Sequence, residues 1–144
     1  MKLELKHIDC YCKYGLKGKF FDKIDIVTEI DYQFKIISGL NCGNVYISDF
    51  KPILKPLSAL IKDNEFEKIC KEQIICSDLI ITNWNGIIKV EVLGGADELI
   101  AIGNEIAGEC SYFFYLWLIE NHYDIFGLID NGLAIDKDTI KLKK

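Results

Sequence analysis

Arginine is missing from this sequence altogether: all seventeen basic residues are lysines. The absence removes the side chain best suited to bidentate contacts with phosphate and guanine. Proline is scarce, at two residues, while hydrophobic residues make up 50% of the chain. That balance excludes a disordered or proline-rich segment and points to a folded globule. The longest uninterrupted apolar run covers residues 112–119, far short of the roughly 20 residues of a membrane span. The opening Met-Lys-Leu-Glu-Leu-Lys alternates charged with apolar residues and holds no apolar core of signal-peptide length. A single-domain cytoplasmic protein of 144 residues, without a membrane partner, is the expectation.

The most local absence is of positive charge. Between Val90 and Asp136 there are nine acidic residues and no lysine or arginine: Glu91, Asp97, Glu98, Glu105, Glu109, Glu120, Asp124, Asp130 and Asp136. Residues 1–23 carry six lysines against three acids, in a chain whose net charge is −5. Such asymmetry constrains which partners the surface attracts.

What is there begins with six cysteines, expected as free thiols in a reducing compartment. Cys10-Tyr11-Cys12, preceded by His7, is the one tight cluster of soft ligands. The second ligand pair of a zinc site is lacking, since Cys42, Cys70, Cys76 and Cys110 form no Cys-x-x-Cys. His7, Cys10 and Cys12 are therefore weak metal candidates, and no cofactor is expected.

The first fifty residues read as antiparallel β structure. Ile24, Ile26, Thr28 and Ile30 alternate with Asp25, Val27, Glu29 and Asp31, which predicts a strand with one apolar face. Residues 15–48 form a meander in this reading, with residues 3–8 a first strand. Asp49 is a candidate helix N-cap with Pro52 in the first turn, but Pro56 cannot continue such a helix. Residues 52–56 therefore read as a tight turn feeding a short helix over 56–61, followed by another over 65–75 capped by Asn64. Asn85-Gly86 is the favoured type I′ pair and predicts a hairpin between residues 79–82 and 87–92, ended by Gly94-Gly95. Residues 96–122 read as one long helix whose second half, apolar nearly all round, is the buried core helix. The remaining tail reads as turns and a short extended piece. The predicted fold class is α+β: an N-terminal antiparallel sheet, short helices, a hairpin and a long buried C-terminal helix.

Two segments carry a resemblance: Pro-Ile-Leu-Lys-Pro-Leu-Ser-Ala-Leu at residues 52–60, and Asn-His-Tyr-Asp-Ile-Phe-Gly-Leu-Ile-Asp-Asn-Gly-Leu-Ala-Ile-Asp at residues 121–136. With the Met-Lys-Leu start, they resemble small uncharacterised proteins of Bacteroidota phages and mobile elements, which share a Pro-Ile-Leu-Arg-Pro-Leu-Ser block and a Phe-Gly-Leu-Ile-x-x-Gly-Leu-Ala-Ile-Asp ending. The match covers about a third of the chain; lysine replaces the usual arginine at position 55, and residues 76–96 match nothing. The resemblance implies a genomic setting, in a bacterial host cell, and no mechanism.

Catalytic readings are poorly supplied. His122 and Asp124 could form an acid–base pair, but Cys110 and Ser111 lie about three turns back on the predicted helix, beyond hydrogen-bond reach. A structural His122 at a helix C-terminus is the competing reading. Asp136-Lys-Asp138-Thr139 lacks the glycine and terminal glutamate of a calcium loop, and no phosphate-binding glycine motif occurs. Lys13, Lys17, Lys19 and Lys23 interleave with Tyr11, Tyr14, Phe20 and Phe21, a weak nucleic-acid stripe that also reads as a solvated strand face.

The acids remain. On one helix over 96–122, at about 100° per residue, Glu98, Glu105, Glu109 and Glu120 fall within roughly 60° of one another. That stripe, with Asp124 beside it, is either a solvated face or a surface that docks on a basic host protein. The function expected first is therefore a non-enzymatic phage or mobile-element accessory protein. It would bind a host protein through these acids without contacting nucleic acid directly, as a counter-defence inhibitor of a nucleic-acid-guided nuclease would. A small enzyme or metal-dependent nucleic-acid processing factor is the alternative, and a nucleic-acid-binding module the third.

Overall fold

A computed structural model describes residues 1–74, 79–92 and 97–140. Cys76 and the expected hairpin end at Gly94-Gly95 lie outside the described residues. The chain is mixed α+β, with two sheets and several short helices. Helix α1 (Leu5–Cys12) replaces the strand expected over residues 3–8. The spacing of Leu5, Ile8 and Tyr11, all buried, makes a helical stripe that outweighs the alternation before it. His7 Nδ1 accepts the Glu4 N–H at 3.0 Å and closes the helix start.

Strands β1 (Lys17–Phe20), β2 (Lys23–Asp31), β3 (Ile36–Gly39), β4 (Gly43–Tyr46) and β5 (Phe50–Leu54) follow. With the late β10 (Ile135–Asp136) they form one sheet in the order β10-β5-β1-β2-β3-β4. It is antiparallel except where β10 runs parallel to β5. The meander is as expected, but β2 is turned over. Asp25 and Val27 are buried and Ile24 is exposed, with a register shift between Val27 and Glu29. A buried carboxylate needs partners, and Asp25 has three. Oδ1 accepts the Ile26 N–H, and Oδ2 accepts those of Asn41 and Cys42 at 2.6 and 2.8 Å. The Asn41 bond foremost holds the Asp25 carboxyl below its usual range.

Gly18 lies against the Phe50 ring, where a Cβ would sit 2.2 Å from a ring carbon. β1 and β5 can pack here only without a side chain at that position. Pro52 lies in β5 and not in the tight turn expected over 52–56 after an Asp49 cap; β10 pairs only with Ile53 and Leu54, so the missing N–H falls outside that ladder. The segment Leu57–Lys62 is a 3₁₀ turn. Helix α2 (Asn64–Ile74) is capped by Asp63 and not by Asn64: Asp63 Oδ1 accepts the Glu65 and Phe66 N–H groups at 2.9 and 3.2 Å.

The hairpin of β6 (Leu79–Trp84) and β7 (Ile87–Val92) turns at Asn85 and Gly86, with φ of 51° and 81°. The long helix expected over 96–122 does not form. Residues Glu98–Ile102 are β8 and Glu105–Ile106 are β9, completing an antiparallel sheet in the order β6-β7-β8-β9. Only Tyr112–Glu120 is helical, as α3, 9 residues long. Gly103, at φ 63°, turns the chain between β8 and β9, and its N–H donates to the Gly86 carbonyl at 2.7 Å, locking the two hairpin turns side by side. A β7 ladder on offer outweighs a helical pattern that carries two glycines. Phe114 is buried, whereas Trp117 is half-buried, stacked on Tyr123 with centroids 6.0 Å apart.

One cluster of buried side chains draws on both sheets and all three helices, including Ile8, Tyr11, Phe50, Phe66, Ile88 and Leu118. Among the described residues, no helix is long and apolar enough to cross a membrane.

Candidate functional site

The second sheet buries one face only. Ile88, Val90, Ile100 and Ala101 turn inward and are buried. On the outer face, residues directly opposite in the ladder line up across all four strands: Trp84 with Ile87, Ile87 with Ile102, and Ile102 with Glu105. Trp84 is 73% exposed, Ile102 56% and Ile87 37%, with exposed Ile80 two residues before Thr82 on the same side of β6. An apolar row built on ladders and tight turns, yet left in water, is the mark of a contact surface. β6 is also the first strand of its sheet, so the row begins at an edge.

The charge framing this row is negative. Lys89 Nζ lies 3.6 Å from both Glu91 and Asp97, and Glu105 ends the row. Two carboxylates thus share one ammonium, and a third closes the row. Exposed pairs of this kind contribute little stability, so their consequence is the field they present.

The acids singled out in the sequence are redistributed. Glu98 is half-buried on β8, where Oε1 accepts the Ser111 N–H at 3.2 Å. Glu105 is exposed on β9, Glu109 in the turn that follows, and Glu120 at the end of α3. A single helical stripe of these four does not exist, because most of its supposed helix is strand and turn. Asp124 is not a surface residue at all. It is buried, Oδ1 and Oδ2 accepting the Leu128 and Ile129 N–H groups at 2.9 and 2.8 Å. Burial pushes its carboxyl above the usual range. The acidic segment contributes to the candidate surface through Glu91, Asp97 and Glu105, all in or beside the sheet.

The catalytic and metal candidates are likewise occupied. His122 follows α3 in a left-handed conformation, φ 60°, and its Nε2 lies 2.7 Å from the Tyr14 carbonyl. A carbonyl only accepts, so Nε2 carries the hydrogen. Burial holds this imidazole below its usual range, hence neutral, and does the same for His7. His7 is committed to Glu4, and Cys12 Sγ donates to the Ile8 carbonyl at 3.4 Å. Cys10 and Cys12, two apart on a helix, point to opposite sides of it. Among the described residues, no three His, Cys, Asp or Glu side chains are placed to hold a metal ion. Burial pushes the Cys10 and Cys110 thiols up to about 11 and those of Cys12 and Cys70 to about 12, so at neutral pH these are poor nucleophiles. Of the aromatics in the lysine stripe, Tyr11 and Phe20 are buried and Phe21 is exposed.

No family model, curated protein or solved structure matches this chain.

Residues 52–60 and 121–136 meet in space. The Lys55 N–H donates to the His122 carbonyl and the Asp124 N–H to the Lys55 carbonyl, each at 2.8 Å. The Tyr123 hydroxyl donates to Asp63, and Lys55 Nζ sits 5.0 Å over the Tyr123 ring. Tyr11 joins them, donating to the Tyr123 carbonyl at 2.6 Å and accepting from the Ile125 N–H. These motifs build the core junction between β5, α1 and the tail. Sequence reasoning missed Trp84, Ile87 and Ile102 as candidate contact residues. The signal available was Trp84-Asn85-Gly86-Ile87, since a two-residue turn forces the flanking pair onto one face; which face meets water is not written there.

Proposed function

We propose that the protein is a non-enzymatic binding protein that docks a partner protein through the outer face of the β6–β9 sheet. The exposed row of Trp84, Ile87 and Ile102 carries this reading. Interfaces draw most of their energy from a few buried aromatic and aliphatic anchors within a polar rim, and the row framed by Glu91, Asp97 and Glu105 has that composition. The carboxylates favour a partner with an apolar recess and a basic rim. The phage and mobile-element resemblance of residues 52–60 and 121–136 supplies the setting, that of an accessory protein acting on a host factor. A host protein with a basic, nucleic-acid-binding surface, such as a nucleic-acid-guided defence nuclease, fits the charge. Direct binding of nucleic acid to this acidic face is disfavoured.

The test is capture from host lysate followed by binding measurements with the purified captured protein. Trp84→Ala should weaken that binding by about 2–4 kcal/mol, the range of a hot-spot truncation. Hydrogen exchange should slow over residues 80–102 on complex formation. Full affinity in the Trp84→Ala, Ile102→Ser double variant, with native circular dichroism, would exclude this face.

A further inference from the structure

A recess is built from elements other than the β6–β9 sheet. A cleft of about 620 Å³ opens between residues 2–6, the β2–β3 turn and the end of β4, within the roughly 300–1,000 Å³ typical of small-molecule sites. Buried Leu3, Leu5 and Ile47 line it at depth, while Tyr32, Phe34 and Tyr46 bring rings that are between 55% and 62% exposed. Lys2, Lys6 and Lys35 also line it, against the single acid Glu4, whose Oε2 lies 3.4 Å from Lys6 Nζ. The lining is therefore cationic by two charges in a chain of net charge −5.

The backbone that carries the rings is held in place. Asp31 Oδ1 accepts the Gln33 and Phe34 N–H groups at 2.9 and 3.1 Å, an arrangement that shapes the turn. Lys35 takes a left-handed φ of 55°, and its carbonyl accepts the Ile47 N–H at 2.9 Å. Tyr46 stands opposite Ile36 in the β3–β4 ladder. A backbone ordered in advance costs less to bind with.

We propose that this cleft binds a nucleoside phosphate, its base stacked on the exposed rings and its phosphate set among the lysines. Planar stacking suits flat π-faces of this kind. A phosphate monoester carries about −1.5 to −2 at neutral pH, which matches the two uncompensated ammonium charges. An aromatic carboxylate would neutralise one of them, and a neutral ring neither. Lysine binds phosphate as a point charge, so the lack of arginine is no obstacle. The site shares no residue with the β6–β9 face, so either can fail without the other.

The experiment titrates the full chain with adenosine, guanosine, cytidine and uridine monophosphates, followed by amide NMR shifts and calorimetry. Inorganic phosphate and the parent nucleosides form the comparison arms. At least one nucleotide should bind saturably, shifting residues 2–6, 32–35 and 46–48, and at least tenfold tighter than phosphate or its own nucleoside. Phe34→Ala and Tyr46→Ala should each weaken it about tenfold, the scale of losing one stacking ring. Lys35→Gln should weaken it and flatten its salt dependence. These side chains are exposed, so unchanged spectra elsewhere will verify folding. No saturable shift at millimolar nucleotide overturns the proposal, as does phosphate binding equally well. Single-stranded oligonucleotides binding far tighter, with shifts beyond the cleft, would replace it with a nucleic-acid groove.

Discussion

Replacing Asp124 with alanine should cost stability out of proportion to the small change in volume. The side chain is buried, and its two oxygens are the acceptors for the Leu128 and Ile129 N–H groups. Alanine strands both donors, and a buried unpaired polar group costs about 1–3 kcal/mol. Against this stands relief of the carboxylate's own desolvation, the main cause of its raised pKa. The donors outnumber the single charge removed, so the net loss should be about 2–4 kcal/mol. At this chain length roughly 3–4 °C accompany each kcal/mol, giving a fall in melting temperature of about 6–16 °C. Urea denaturation followed by circular dichroism should show the same loss with an unchanged m-value. The pH dependence supplies a second arm. A folded pKa raised above the unfolded value means that this group's contribution is full below about 3.9 and declines as pH rises through the folded pKa. Asp124→Asn should remove that decline. An Asp124→Ala variant melting like the wild type would refute the buried-acceptor reasoning and return Asp124 to the surface.

Phe114→Ala, at a buried position, should cost about 3–5 kcal/mol and leave little folded protein, while Trp117→Ala, half-buried, should cost less; paired melting curves decide the order. Both histidines are held below their usual range by burial, so each contributes stability that is full above about 6.5 and lost as pH falls through the folded pKa. His122→Asn, which tolerates the left-handed backbone, should flatten that acid-side decline in a denaturation series from pH 7 to 5. Glu105→Lys with Glu109→Lys should leave melting within about 0.5 kcal/mol, because both are exposed. Stopped-flow mixing with the captured partner should show slower association and a weaker salt dependence.

Local chemistry was legible wherever a few adjacent residues decide the outcome. Asn85-Gly86 determined a type I′ turn, because both positions need positive φ and this pair accepts it. The meander, α2 and the turn-rich tail were legible for the same reason. Lack of positive charge between Val90 and Asp136 likewise determined, without any coordinates, that this segment is acidic. Tertiary structure decided the rest. Residues 98–106 carry a helical pattern, yet β7 offered a ladder and the Gly103 N–H an acceptor on Gly86. Asp25 could be buried because Asn41 and Cys42, sixteen and seventeen residues on, brought it N–H donors. Period-two alternation is symmetric between faces: it divides β2 and β6 into two sets of side chains without saying which set meets water. Only packing against the core could choose, burying Asp25 with Val27 and leaving Trp84, Ile87 and Ile102 outside.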